Sequence, residues 1–214
     1  MNPDHLEDRI RWGSNVAARA VGVMTNAYRP SSSHNPLATQ NRFLRLHAAF
    51  GGLDGSHDKP NGYGNALWCG IFDAAYTRPG DYLTQSKTSW FIASQQRLLP
   101  VLCVKTNRVI SFTRPAAQPN SGVNTYGGIT AANVTSLMTN WPASVLVTPR
   151  EGHPLASLPN NTSVSYWTVL LPARPEVVIQ TGDLMSDDLA RNGVVATTEL
   201  TDLGWRLAVR QATT

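Results

Sequence analysis

Residues 80–115 read GDYLTQSKTSWFIASQQRLLPVLCVKTNRVISFTRP, and this stretch decides the fold class. Gly80-Asp81 is a turn signal, because Gly tolerates positive φ and the Asp carboxylate can accept hydrogen bonds from backbone N–H groups beside the turn. Beyond it, Trp90–Ser94 is an apolar run of strand length and Val101–Val104 is a second. Lys105–Arg108 then folds the chain back into a third, Val109–Arg114. Short runs separated by turn residues point to an antiparallel sheet.

The same unit returns near the C-terminus. Gly182-Asp183-Leu184-Met185 matches Gly80-Asp81-Tyr82-Leu83, and after one inserted residue Val194-Val195-Ala196-Thr197 matches Phe91-Ile92-Ala93-Ser94. Trp205–Val209 then stands where Val101–Val104 stands in the first copy. A turn, a strand and a strand, repeated, predict two related β units in a small barrel or sandwich.

Towards the N-terminus, Asn2-Pro3 supplies a helix cap and first-turn proline, with Asp4, Glu7 and Asp8 at the positive end of the dipole. Leu6, Ile10, Ala17, Ala20, Val21 and Met24 recur at helical steps, predicting one amphipathic helix over about residues 3–25, ended by Tyr28-Arg29-Pro30. Leu44, Leu46, Ala48 and Phe50 alternate with Arg45, His47 and Ala49, a strand period that we read, within residues 35–50, as an extended arm lying on a neighbour. Gly51–Gly64 reads as a loop, and Ala66–Ala74 opens the β-rich part.

On the C-terminal side, Gln118–Gly128 is a connection, after which Thr130 caps a short helix carrying Val134, Leu137, Met138 and Trp141, closed by Pro142. Ser144–Val147, Ser163–Leu171, Glu176–Gln180, Gly193–Thr197 and Trp205–Gln211 complete a set of about nine strands. The expected fold is α+β, mainly β: an N-terminal amphipathic helix and extended arm, then an antiparallel β-barrel or sandwich in two related units. The segments are 1–61 (helix and arm), 62–117 (first β unit) and 118–214 (short helix and second β unit), with 62–214 able to form one domain.

Charged residues make up 15% of the chain, below the usual share of about 25%. Ser, Thr, Asn and Gln fill the gap, which suits a subunit covered by neighbours. Of 18 basic residues only Lys59, Lys87 and Lys105 are lysine, and arginine is the basic residue favoured at interfaces. The basic residues are scattered singly, so no sequence-specific nucleic-acid face is expected. The N-terminus is polar and no run approaches the ~20 apolar residues of a membrane span, so neither a leader nor a membrane partner is expected. Cys69 and Cys103 lie in apolar stretches and read as reduced, buried thiols.

Reactive groups do not cluster along the chain. His5, His34, His47, His57 and His153 are dispersed, and no His-Glu-x-x-His motif occurs. The best metal-ligand group, Asp54, His57 and Asp58, is better explained as a solvated loop. The best nucleophile pair, Cys69 with His153, places its thiol in an apolar strand, where thiols are structural. Asp187-Asp188 reads as a solvated turn, since adjacent strand carboxylates point to opposite faces. The chain has no Gly-x-Ser-x-Gly elbow, phosphate loop or dinucleotide fingerprint. The expectation is therefore a protein without enzyme activity, catalytic residues, metal or cofactor. Trp68, Trp90, Trp141, Trp167 and Trp205 fall in apolar elements as core, whereas Trp12 lies at the edge of the helix stripe as a candidate intersubunit anchor.

The succession Tyr28-Arg29-Pro30, Asn35-Pro36-Leu37, Arg45–Phe50, Gly80–Leu83, Trp90–Ala93, Gln95-Gln96, Leu98-Leu99-Pro100, Asn107-Arg108 and Arg114-Pro115, with Glu199–Leu207 after it, resembles a family of tailed-bacteriophage and prophage virion structural proteins. The Gly-Asp turn followed by barrel strands is also similar to the head-closure, stopper and adaptor proteins of phage necks. The resemblance implies a ring-forming neck or head–tail connector protein or a tail subunit, made in the bacterial host cytoplasm and located in the virion. Its implied partners are copies of itself in a cyclic homo-oligomer and the portal or other neck and tail proteins, with genome DNA passing through the ring. Trp12, Tyr28, Arg29, Arg42, Arg45 and Phe50 are the expected interface residues; Gly80, Asp81, Gly182 and Asp183 are the structural turns. Two other readings stay open: a capsid decoration or tail-fibre adaptor protein, and a virion-associated cell-wall hydrolase.

Overall fold

The computed structural model describes residues 3–52, 66–115, 134–147 and 166–212. Helix α1 (Pro3–Val21) precedes twelve strands among these residues: β1 (Val23–Tyr28), β2 (Arg42–Gly51), β3 (Leu67–Ile71), β4 (Tyr82–Gln85), β5 (Thr88–Ser94), β6 (Val101–Thr106), β7 (Arg108–Pro115), β8 (Val134–Val147), β9 (Tyr166–Leu171), β10 (Leu184–Asp187), β11 (Asn192–Thr201) and β12 (Gly204–Gln211). They close two six-stranded antiparallel barrels, in the order β1-β2-β3-β6-β5-β4 and, from its own first strand, β7-β8-β9-β12-β11-β10. The orders are the same, so each strand of one barrel has a counterpart six strands later. Closure leaves neither barrel an open sheet edge.

The mainly β fold behind an N-terminal helix is thus as expected, and the repeat is two whole barrels. Residues 80–115 do not stay in one of them: β4, β5 and β6 complete the first barrel, while β7 starts the second. The boundary falls on Asn107 alone. Its backbone N–H donates to Ala143 O at 3.0 Å, its side-chain amide donates to Val145 O at 2.9 Å, and its Oδ1 accepts from Val145 N at 2.8 Å.

Four local expectations are corrected. The helix ends at Val21: Gly22 N makes the last i→i−4 bond, to Ala18 O at 2.8 Å, and the chain leaves the helix through Gly22, where a Cβ would lie 2.4 Å from that oxygen and 2.9 Å from the Ala48 backbone. Val23 and Met24 therefore begin β1. The alternation over Leu44–Phe50 is a strand, but β2 is a wall of the first barrel paired with β1 and β3, not an arm reaching a neighbour.

The helix proposed over residues 134–141 is the first part of β8. Its pairing with β7 shifts register between Ile110 and Phe112 and again between Phe112 and Thr113, and Asn140 has φ 57°. These irregularities bring Met138 and Trp141, three residues apart, to the same buried side and so imitate a helical step. Residues 176–180 form no strand; one isolated bridge joins Val177 to Arg174.

The two barrels share a core. Tyr82, Phe91 and Val104 of the first pack with Ile110, Phe112, Met138 and Trp141 of the second. Tyr82 has its ring centroid 6.0 Å from those of both Phe91 and Trp141, and its hydroxyl donates to Pro142 O at 2.8 Å. Full burial raises the Tyr82 pKa well above its ordinary value. The segment after β1 also crosses to the second barrel: Trp141 Nε1 donates to Ser33 O at 2.6 Å and Arg174 Nη1 to Pro30 O at 2.7 Å. The first barrel has its own interior around Leu83, Trp90, Ile92 and Cys103.

Register sets Trp68 opposite Cys103 and Cys69 opposite Leu102, so the two thiols lie on opposite faces of the β3–β6 pair and do not bridge. Burial, with a smaller contribution from Cys69, pushes the Cys103 thiol far up. The five core tryptophans are placed as expected, with Trp141 wholly buried and Trp68 partly so.

Candidate assembly surface

The two barrels carry two copies of one turn. Gly80 and Gly182 adopt φ 91° and 94°, the left-handed region for which glycine is suited. In the first barrel Gly80 N donates to Ile92 O at 2.8 Å and Ile92 N to Asp81 O at 2.9 Å; in the second, Gly182 N donates to Val195 O and Val195 N to Asp183 O, both at 2.9 Å. Asp81 and Asp183 are nearly inaccessible, at 1% and 2%. Asp81 accepts from Arg29 Nε at 2.9 Å and Nη2 at 2.7 Å, and Asp183 from Arg114 Nε at 2.8 Å and Nη2 at 2.9 Å.

Each carboxylate also accepts one backbone N–H, from Arg78 at 3.0 Å or Gln180 at 2.7 Å. Each arginine spends a further N–H on a backbone carbonyl, Tyr76 O at 3.0 Å or Val178 O at 2.7 Å. The carboxylate hydrogen bond outweighs a burial penalty, and with the added charge attraction raises the pKa of both Arg29 and Arg114 above the ordinary value. A buried carboxylate is tolerated because it is paired with a guanidinium and both of its oxygens accept hydrogen bonds. Asp187 is similar: it is buried and accepts from Arg191 Nε at 2.7 Å and from the backbone N–H of Leu189 and Arg191, so it is not the solvated turn residue expected.

Of the expected interface residues, Arg29 is therefore committed inside the chain, with its guanidinium also 4.4 Å from the Phe43 ring centroid. Phe50 stacks on Trp90, centroids 3.9 Å apart, and Tyr28 packs against the shared core. Arg42 and Arg45 are exposed on β2, Arg45 donating from Nε to Asn26 Oδ1 at 2.9 Å. Trp12 is separate from all of these, 71% exposed on the outer face of α1.

That helix is seated lightly. Ala18 is its one fully buried side chain among those described, while Ile10, Val16 and Val21 are exposed, as are Val23 and Met24 beyond it. The expected inward apolar stripe is thus largely turned out. Polar contacts clasp the helix to the barrel: Arg97 pairs with Glu7 at 3.2 Å and Asp4 at 3.5 Å, and Asn15 Nδ2 donates to Asp73 Oδ2 at 3.3 Å, while Arg11 pairs with Glu7 within the helix.

Between α1, the end of β3 and the β5–β6 loop lies an open apolar groove of about 530 Å³, lined by Ile10, Ala17, Ile71, Phe72, Leu98, Leu99 and Val101 among others. Leu98 and Leu99 are 47% and 58% exposed, and Leu98 has φ 65°, unusual for a branched side chain.

Sequence reasoning missed this groove and the roles of Arg97 and Arg114. Arg-Pro occurs four times, at Arg29-Pro30, Arg78-Pro79, Arg114-Pro115 and Arg174-Pro175, so the dipeptide did not single out Arg114. Asp54, His57, Asp58 and His153 lie outside the described residues, and among the described ones no group of three His, Cys, Asp or Glu side chains is placed to hold a metal ion. No helix among the described residues is long and apolar enough to cross a membrane. Set against protein-family models, curated proteins and solved structures, the chain matches none.

Proposed function

We propose that the protein is a structural virion subunit of a tailed phage, a ring-forming neck or head–tail connector component or a tail subunit. The observation that carries this reading is the outward apolar face of α1, headed by Trp12 and mounted on two barrels that share one core. Large exposed aromatics on a rigid scaffold are the anchors by which subunits associate. Two closed barrels that share one core resist deformation, as a mechanical ring subunit requires. Function by this account is mechanical: the barrels act as blocks and the helix makes contacts between copies, with the portal or the next ring docking on the assembled surface.

The test is to purify the full chain, measure its mass by sedimentation and view it by negative stain, alone and with a tailed-phage portal protein. Closed rings, or rings capping the portal, are the expected result. A chain that stays monomeric and binds neither portal nor tail components overturns the reading.

A further inference from the structure

Trp12 and the groove lie back to back on one helix. Ile10, Ser14 and Ala17 face the groove at helical spacing, and Trp12, two residues from both Ile10 and Ser14, points to the opposite side. The chain therefore displays an unburied aromatic knob and an unfilled apolar groove that it cannot bring together itself.

From this geometry we infer that the groove is the acceptor for the Trp12–Val16 ridge of a second copy of this chain, joining copies head to tail. This deepens the assembly reading and rests on it. The volume of about 530 Å³ accommodates an indole with its neighbouring valine, and a tryptophan buries roughly 150–250 Å² when it docks. The lining explains why Leu98 and Leu99 are held out to solvent, with Leu98 in a backbone conformation that costs energy. Knob and groove are separated by a helix about 10 Å thick, so one pair of copies cannot satisfy both contacts at once. Such a heterologous contact propagates, into a ring if the rotation closes and a filament if it does not.

The experiment uses two full-length variants, Trp12→Ala, which lacks the knob, and Leu99→Arg, which blocks the groove. Both positions are exposed, so both variants should melt with the wild type, which is checked first. Each alone should sediment as a monomer at concentrations where the wild type assembles. Mixed in equal amounts they should form a one-to-one dimer of doubled mass and nothing larger, because the intact knob of one fills the intact groove of the other and both remaining ends are blocked. If Leu99→Arg assembles like the wild type, or the mixture stays monomeric, the inference is overturned while wild-type rings leave the virion reading standing. A monomeric wild type that still binds the portal likewise overturns this contact alone.

Discussion

Asp81 accepts from two nitrogens of Arg29 and one backbone N–H while almost inaccessible, and Asp183 repeats the pattern with Arg114 and the backbone N–H of Gln180. Asp81→Asn removes the charge that both guanidinium bonds depend on and should cost about 2–3 kcal/mol, and Asp183→Asn a similar amount. Urea denaturation measures both; a variant as stable as the wild type would show that its pair contributes nothing. Asp187 supplies a pH dependence. Burial alone pushes its carboxyl up, but hydrogen bonds from the Arg191 side chain and from the backbone N–H groups of Arg191 and Leu189, with the Arg191 charge, hold it below the ordinary 3.8. A depressed folded-state pKa contributes stability that is present above the unfolded-state value and lost as pH falls through the folded one, so the loss lies below pH 3.8. The gap in urea midpoint between wild type and Asp187→Asn should be wide at neutral pH and narrow in acid. A gap independent of pH would refute the assignment.

At the scale of elements, the turns and strands separate two kinds of glycine. A Cβ at Gly80 or Gly182 would touch nothing within 4 Å, so alanine there costs only the left-handed backbone, about 1–2 kcal/mol. At Gly204, φ is 121° and a Cβ would lie 2.5 Å from Leu171 O, so Gly204→Ala should destabilise more than Gly80→Ala; equal melting temperatures would contradict this. The turns were legible because Gly-Asp acts locally, within residues adjacent in sequence. The exposure of Trp12 was legible too, as an aromatic beside rather than within the helix stripe. Residues 134–141 were not, because irregular pairing in β7–β8 changes the spacing of buried side chains and no local signal marks it. The groove was illegible for a related reason: Leu98 and Leu99 acquire meaning only when tertiary structure sets their loop against α1.

For the whole molecule, the shared core around Tyr82, Phe91 and Trp141 and the clamp at Asn107 make the barrels one cooperative unit. Unfolding followed by tryptophan fluorescence and by far-ultraviolet circular dichroism should give one coincident transition, and Trp141→Ala should shift the whole of it by about 3–5 kcal/mol. Two separated transitions would mean that the barrels are independent. The matching strand order has a counting consequence. Every copy contributes two blocks of one skeleton, of which, among the described residues, the first carries α1, so an assembly of any number of chains would hold twice that number of barrels in two kinds. A neighbour that recognises the common skeleton then meets double the sites met by one that recognises α1. A single sequence can in this way offer two different rotational symmetries to the components on either side of it.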